Sequence, residues 1–188
     1  MSDPAEILCE RAQKGDLAAA SELVSLFYQR IFAYLRRLSR NDEDAADLTQ
    51  KTFTRTWQSL ASYQHRSRFS TWLHGIAYHV YLDWRRKRSS GEAQTDEWWE
   101  TQPANSPTPY ENTAERELAR QLYRWVDELD DEKKQTVHLH YYQNLPLSET
   151  AEVLGVAVST VKYRLREALV FLRTRSAQAE ISPERKVV

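Results

Sequence analysis

The chain has 188 residues, 41% of them apolar, 28% charged and only four of them glycine, room for one domain of ordinary size or two small helical ones. No apolar run approaches the ~20 residues of a membrane span, no basic-then-apolar leader is legible at the start, and the single Cys9 excludes an intramolecular disulfide. A reducing cytoplasm is therefore the expected compartment, and a membrane partner is not expected. The formal net charge of −1 argues against tight free-standing binding to nucleic acid. Its distribution is uneven, however. Residues 61–90 carry Arg66, Arg68, Arg85, Arg86, Lys87 and Arg88 against Asp83 alone, whereas residues 89–115 carry acids and no Lys or Arg.

In chain order, Asp3-Pro4 can start a short helix that stops at Gly15. Asp16 then caps a longer one with Ala20, Leu23, Phe27, Ile31, Tyr34, Leu35 and Leu38 as its stripe. Asn41 and Asp42 start a third, "DEDAADLTQKTFTRTWQSL", in which Ala46, Phe53, Trp57 and Leu60 are expected to pack inward. "ASYQHRSR" breaks the pattern and reads as a loop. The fourth, "FSTWLHGIAYHVYLDWRRKR", has Phe69, Trp72, Leu73, Ile76, Ala77, Val80 and Trp84 at helical spacing, a second face with Tyr78 and His79, and a basic end.

The segment "SSGEAQTDEWWETQPANSPTPYENTAE" reads as an extended acidic linker, with Trp98 and Trp99 expected either to dock on a domain or to enter a basic groove of a partner. Beyond about Arg116, Leu118, Leu122, Trp125 and Leu129 form a stripe, and Val137, Leu139 and Tyr141 belong to the next helix. "LPLSETAEVLGVAVSTVKYRLREAL" has helix-turn-helix spacing: small Ala151, Gly155 at the turn, Val156 and Val161 beneath, and Ser159 or Thr160 as cap. Thr150 there is expected to bond back to a carbonyl. Lys162, Tyr163, Arg164 and Arg166 then lie on or near the exposed side, suited to phosphates and base edges.

These segments together resemble a bacterial sigma factor of the extracytoplasmic-function type. "AQKGDLAAASELV", "DEDAADLTQKTFTRTW" and the fourth helix carry the first half of the likeness, and "LDDEKKQTVHLHYYQNLPLSETAEVLGVAVSTVKYRL" the second. The resemblance implies an all-α fold of two small helical domains joined by an extended linker. Residues 1–90 would be a four-helix domain for core polymerase binding and −10 recognition, 91–115 the linker, 116–175 a helix-turn-helix domain for the −35 element, and 176–188 a frayed tail.

By the same resemblance, Asp42, Glu43, Asp44, Asp47 and Gln50 would meet the polymerase β-prime coiled coil, and the second domain its β flap. Tyr63, His65, Arg66, Arg68, Phe69, Tyr78 and His79 would hold unstacked bases, and Arg85, Arg86, Lys87 and Arg88 the phosphates. Ser159, Thr160, Lys162, Tyr163, Arg164 and Arg166 would read the −35 element. Several positions depart from the family: His79 stands where Asn is common, Ala46 and Lys51 where acids are common, and Tyr163, Glu167 and Leu169 alter the recognition helix.

Four threonines crowd the third helix. A phosphate on Thr52 or Thr54 would restore roughly −1.5 to −2 charges, so a Ser/Thr kinase joins an anti-sigma protein as an expected regulator. The short tail leaves no room for a sensory domain, which also points to a separate regulator. A sigma-like decoy that binds a regulator is the rival reading. An enzyme is not expected: there is no phosphate loop, nucleophile elbow or paired-carboxylate motif, and His65, His74, His79, His138, His140 and Cys9 match no metal-ligand spacing. No cofactor is expected either.

Overall fold

The computed structural model describes residues 3–90 and 113–181, which form helices and turns with no strand among them. We number the helices α1 (Pro4–Gln13), α2 (Leu17–Ser39), α3 (Asp42–Ser59), α4 (Phe69–Ser89), α5 (Thr113–Asp127), α6 (Asp131–Val137), α7 (Leu147–Leu154) and α8 (Val158–Ile181). A single 3-10 turn, Leu60–Ser62, follows α3, and a π-helical turn, His138–Tyr142, follows α6. None of the described helices is long and apolar enough to cross a membrane.

The chain divides into two units. The first holds α1 to α4 together with α7; the second holds α5, α6 and α8. The linker with Trp98 and Trp99 and the residues after Ile181 lie outside the described residues. Two expected boundaries move: α5 already begins at Thr113, and α8 runs on to Ile181, through the segment expected to fray from Ser176.

Local chemistry sets the helix starts of the first unit. Asp16 Oδ1 accepts from the Ala18 and Ala19 amides at 3.0 and 3.1 Å, and Asn41 Oδ1 from the Glu43 and Asp44 amides at 2.8 and 3.0 Å. Between α1 and α2, Gly15 takes φ +90°, which a glycine adopts at little cost.

The core of this unit lies between α2 and its neighbours α1, α3 and α4. Leu23, Ile31, Tyr34 and Leu35 of α2 are fully buried, as are Leu48 of α3 and Leu73 of α4. Each such aliphatic side chain contributes about 1.5–3 kcal/mol relative to exposure. Two inward assignments shift by one residue, since Ala19 and Ala45, rather than Ala20 and Ala46, are fully buried. One residue turns a helix by about 100°, so Ala46 is left facing solvent.

Three of the α3 threonines also belong to this core. Thr49, Thr52 and Thr56 are 0% exposed, and their hydroxyls donate to the carbonyls of Ala45, Leu48 and Thr52 at 2.7, 2.7 and 2.8 Å. A hydroxyl bonded to the preceding turn satisfies its own polarity, so a small β-branched residue fits between closely packed helices. Thr52 is therefore inaccessible to a kinase in the folded protein, and that expectation falls. Thr54 faces solvent.

In the second unit, Asp130 caps α6 by accepting from the Lys133 amide at 2.9 Å. Of the stripe expected from α5 onward, Leu118 and Leu122 are exposed and Leu129, just past the helix, is buried as expected, while Val126 is buried in place of its neighbour Trp125, which is half-buried. α8 packs on α6 and α5 through Val161, Leu165 and Ala168.

Candidate nucleic-acid interface

The segment between α3 and α4 is held from α1. Glu6 Oε1 accepts from the Phe69 amide at 2.5 Å, at the first position of α4, where the N-cap residue Arg68 supplies no side-chain cap. Glu6 Oε2 faces His65 Nδ1 at 3.2 Å and the Tyr63 hydroxyl at 3.1 Å; that hydroxyl also reaches the Ser67 carbonyl at 2.6 Å. The Gln13 side-chain amide donates to the Leu60 and Tyr63 carbonyls, both at 2.9 Å, leaving its Oε1 for His65 Nε2 at 3.0 Å.

His65 itself sits at φ +55°, a left-handed conformation costing a residue with a side chain of order 1 kcal/mol. Burial, and after it the Glu6 carboxylate, pushes the Tyr63 phenol well above its ordinary pKa, so it remains protonated and a donor.

This geometry sorts the residues expected to hold bases. Tyr63 and Phe69 are 6% and 1% exposed and belong to an aromatic floor, with Tyr63 stacked on Trp72 at 4.7 Å and Phe69 beside Phe27 at 5.5 Å. They are unavailable for stacking on a base, and their expected role is corrected to support. His65 is turned toward α1. Arg68 is engaged by Glu149, at 2.7 Å from its Nε. Gln64 and Arg66 are the residues of this loop whose side chains are exposed without a described partner, and no sequence motif marks Gln64. On α4, His79 is exposed and Tyr78 half-buried.

The basic end of α4 is exposed throughout, from Arg85 to Arg88. It is also partly occupied by acids of its own unit. Arg88 Nη1 lies 3.1 Å from Asp44 Oδ2, Arg86 pairs with Asp83 at 3.1 Å, and Arg55 of α3 reaches the same Asp83 at 3.0 Å. The Arg85 guanidinium lies 5.9 Å from the Tyr81 ring centroid. Pairs this exposed contribute about 0–1 kcal/mol and exchange readily for a phosphate.

The acidic start of α3 is likewise internally compensated. Asp42 pairs with Arg36, Asp44 with Arg88, and Asp47 with Lys51 at 2.5 Å, while Glu43 and Gln50 are exposed. The patch is thus thinner in free charge than its composition suggests.

In the second unit, α8 begins at Val158, so Ser159 and Thr160 lie in its first turn and do not cap it. Gly155, at φ +65°, makes the turn before it. Ser159, Lys162, Tyr163 and Arg166 are exposed along one side, with the Arg166 guanidinium 5.7 Å from the Tyr163 ring centroid. Thr160 is half-buried. Arg164 departs from this row: its side chain is 14% exposed and donates to Glu132 at 2.6 Å. It holds α8 to α6, and its expected DNA contact is corrected on that ground.

Two helical units, each presenting an exposed cationic helix, match known proteins in the same order. The family model Sigma-70 region 2 matches residues 23–91, and Sigma-70, region 4 matches residues 125–174. The RNA polymerase sigma factor YlaC of Bacillus subtilis is 32% identical over 166 residues, 85% of this chain and 94% of that protein. The ECF RNA polymerase sigma factor SigE of Mycolicibacterium smegmatis is 34% identical over 163 residues, 85% of this chain and 63% of that longer protein. The chain belongs to the extracytoplasmic-function sigma factors.

It is an alternative sigma factor, of the class that directs transcription initiation. Two solved structures share the fold. CnrH in complex with the cytosolic domain of CnrY has a TM-score of 0.68 at 23% identity, covering 96% of this chain and 99% of that one. The sigma factor RpoE of Bartonella quintana, in complex with the anti-sigma factor NepR, has a TM-score of 0.65 at 20% identity, covering 88% of this chain and 98% of that one. The region 2 match begins inside α2, so the sigma factor's α1, with Glu6 and Gln13, precedes it.

Proposed function

We propose that this sigma factor works without catalysis of its own, in the cytoplasm, by lending RNA polymerase core two DNA-reading surfaces. On this reading Glu43, Asp47 and Gln50, with Asp42 and Asp44 once their internal pairs open, meet the β-prime coiled coil, and the second unit meets the β flap. The loop with Gln64 and Arg66, and beyond it His79 and the α4 cations, take the melted −10 strand. Ser159, Lys162, Tyr163 and Arg166 take the −35 major groove.

The single observation that supports this reading best is the exposed row on α8. It offers a hydroxyl, two cations and an aromatic edge on one side of a helix entered through a tight turn. That combination suits phosphates and base edges together.

An anti-sigma protein is the expected regulator, a reading supported by the two structural neighbours, each solved with a partner protein. A kinase would have Thr54 as its accessible target among the two threonines considered on α3.

Binding assays on the core complex separate the surfaces. Glu43→Lys with Asp47→Lys is expected to weaken capture by core polymerase. Lys162→Ala and Arg166→Ala should leave capture intact and weaken promoter binding, by ~1–3 kcal/mol where a bidentate base contact is lost. Equal promoter binding by wild type and the α8 variants would overturn the −35 assignment.

A further inference from the structure

The clamp between α1 and the α3–α4 loop joins Glu6 and Gln13, which precede the region 2 match, to residues 60–69 inside it. The Glu6 carboxylate serves three groups at once: the Phe69 amide, the Tyr63 hydroxyl and His65 Nδ1. Its side chain is 23% exposed, so solvent screens it only in part. It supplies to α4 the cap that Arg68 lacks, and as an anion it also suits the positive end of that helix.

Gln13 fixes the other edge of the loop. With its amide nitrogen committed to the Leu60 and Tyr63 carbonyls, its oxygen can face only His65. A neutral imidazole donates to one of the Glu6 and Gln13 oxygens and an imidazolium to both, so in either form a residue held at φ +55° is tied to α1. The strained backbone at the loop's midpoint is set from outside the loop, and Gln64 and Arg66, the exposed neighbours of His65, take their directions from it.

We propose that Glu6 and Gln13 are positioning residues for −10 recognition, holding the backbone of residues 63–69 in the conformation that presents Gln64 and Arg66 to an unstacked base. The inference rests on the reading above, in which this loop meets the −10 strand. A loop reads one base against another only if its donors and acceptors are held within a fraction of an ångström. Contacts made by a wandering loop would raise affinity for every sequence alike.

The test uses the full chain with RNA polymerase core and a promoter set in which each −10 base is varied in turn. The reading is the ratio of run-off product from best to worst base. Glu6→Ala and Gln13→Ala are each expected to flatten that ratio roughly tenfold, the equivalent of about 1.4 kcal/mol. Discrimination at the −35 element should stay as it is. Glu6→Gln keeps an acceptor for the Phe69 amide and should retain most of the discrimination, and it carries the test with Gln13→Ala should Glu6→Ala fail to fold. Hydrogen exchange at the Phe69 amide should quicken in Glu6→Ala.

A merely structural clamp would lower stability and output on all promoters by one common factor. An unchanged ratio in both α1 variants would therefore overturn the proposal. Gln64→Ala and Arg66→Ala on the same promoters check the reading beneath it. If these flatten the ratio and the α1 variants do not, the positioning role alone fails. If none of them does, the loop does not read the −10 element and both fail together.

Discussion

Placing an aspartate at Thr52 is expected to destabilise the first unit by up to about 4 kcal/mol, whereas the same change at Thr54, two residues on, is expected to leave stability nearly unchanged. Thr52 is 0% exposed and its hydroxyl is spent on the Leu48 carbonyl. A carboxylate there has two options. It can stay ionised, at a penalty of several kcal/mol in a site without a cation. Or it can take up a proton, which at pH 7 costs 1.36 kcal/mol for each unit above its ordinary pKa of ~3.9, about 4 kcal/mol in all. The cheaper route sets the loss, so about 4 kcal/mol is its upper bound from ionisation. That is roughly a quarter to four-fifths of the 5–15 kcal/mol that typically holds a domain folded.

The pH dependence has a definite sign. The buried carboxyl has a folded pKa raised above the unfolded one, so the unfolded state loses its proton first as pH rises. The destabilisation of Thr52→Asp should therefore be small near pH 4 and grow toward pH 7. Urea unfolding of the full chain at both pH values, followed by circular dichroism, reads this directly. Thr54→Asp should stay within about 0.5 kcal/mol of wild type, as exposed substitutions do. Wild-type stability of Thr52→Asp at pH 7 would refute the packing described for α3 and return Thr52 to the surface.

The Tyr34 hydroxyl is buried without a hydrogen-bond partner among the described residues, so Tyr34→Phe should be neutral or stabilise by about 1 kcal/mol in the same assay; a loss of about 2 kcal/mol would reveal a partner for it. The hydrogen bonds from Lys133 to Asp130, its side-chain ammonium first and then its amide, hold that carboxyl below its ordinary pKa. The stabilisation is present above the unfolded value of ~3.9 and is lost as pH falls through the lower folded value. Asp130→Ala should accordingly cost about 1 kcal/mol at pH 7 and almost nothing near pH 2, and a cost independent of pH would contradict the assignment. Burial pushes the Cys9 thiol up to about 12 and leaves it without exposed surface. A thiol reagent at pH 8 should label it only as the first unit opens, and labelling at the rate of a free thiol would show that α1 is not docked.

Features written in neighbouring residues were legible in the sequence. Asp16 and Asn41 cap the amides two and three positions on, and the α2 stripe from Leu23 to Leu38 needs only the helical repeat. Rotational phase was harder, because inward Ala45 and outward Ala46 are the same residue type side by side. Polarity misled where a side chain satisfies itself: Thr52 looks like a surface residue until its hydroxyl is seen on Leu48. Tyr63 and Phe69 read as exposed aromatics in a loop, yet both are buried, because burial there depends on Trp72 and Phe27 packing against them. Glu6 and Gln13 gave no signal at all, since their partners lie 47 to 63 residues away along the chain.

Run-off transcription from a promoter library with core polymerase and the wild-type chain tests most directly whether this chain works as a sigma factor. Product is expected from a defined set of promoters, absent with core alone and lost with the Lys162→Ala and Arg166→Ala variants on promoters that depend on their −35 element. No product and no capture by core would contradict it, and would leave a sigma-like chain that binds a regulator instead.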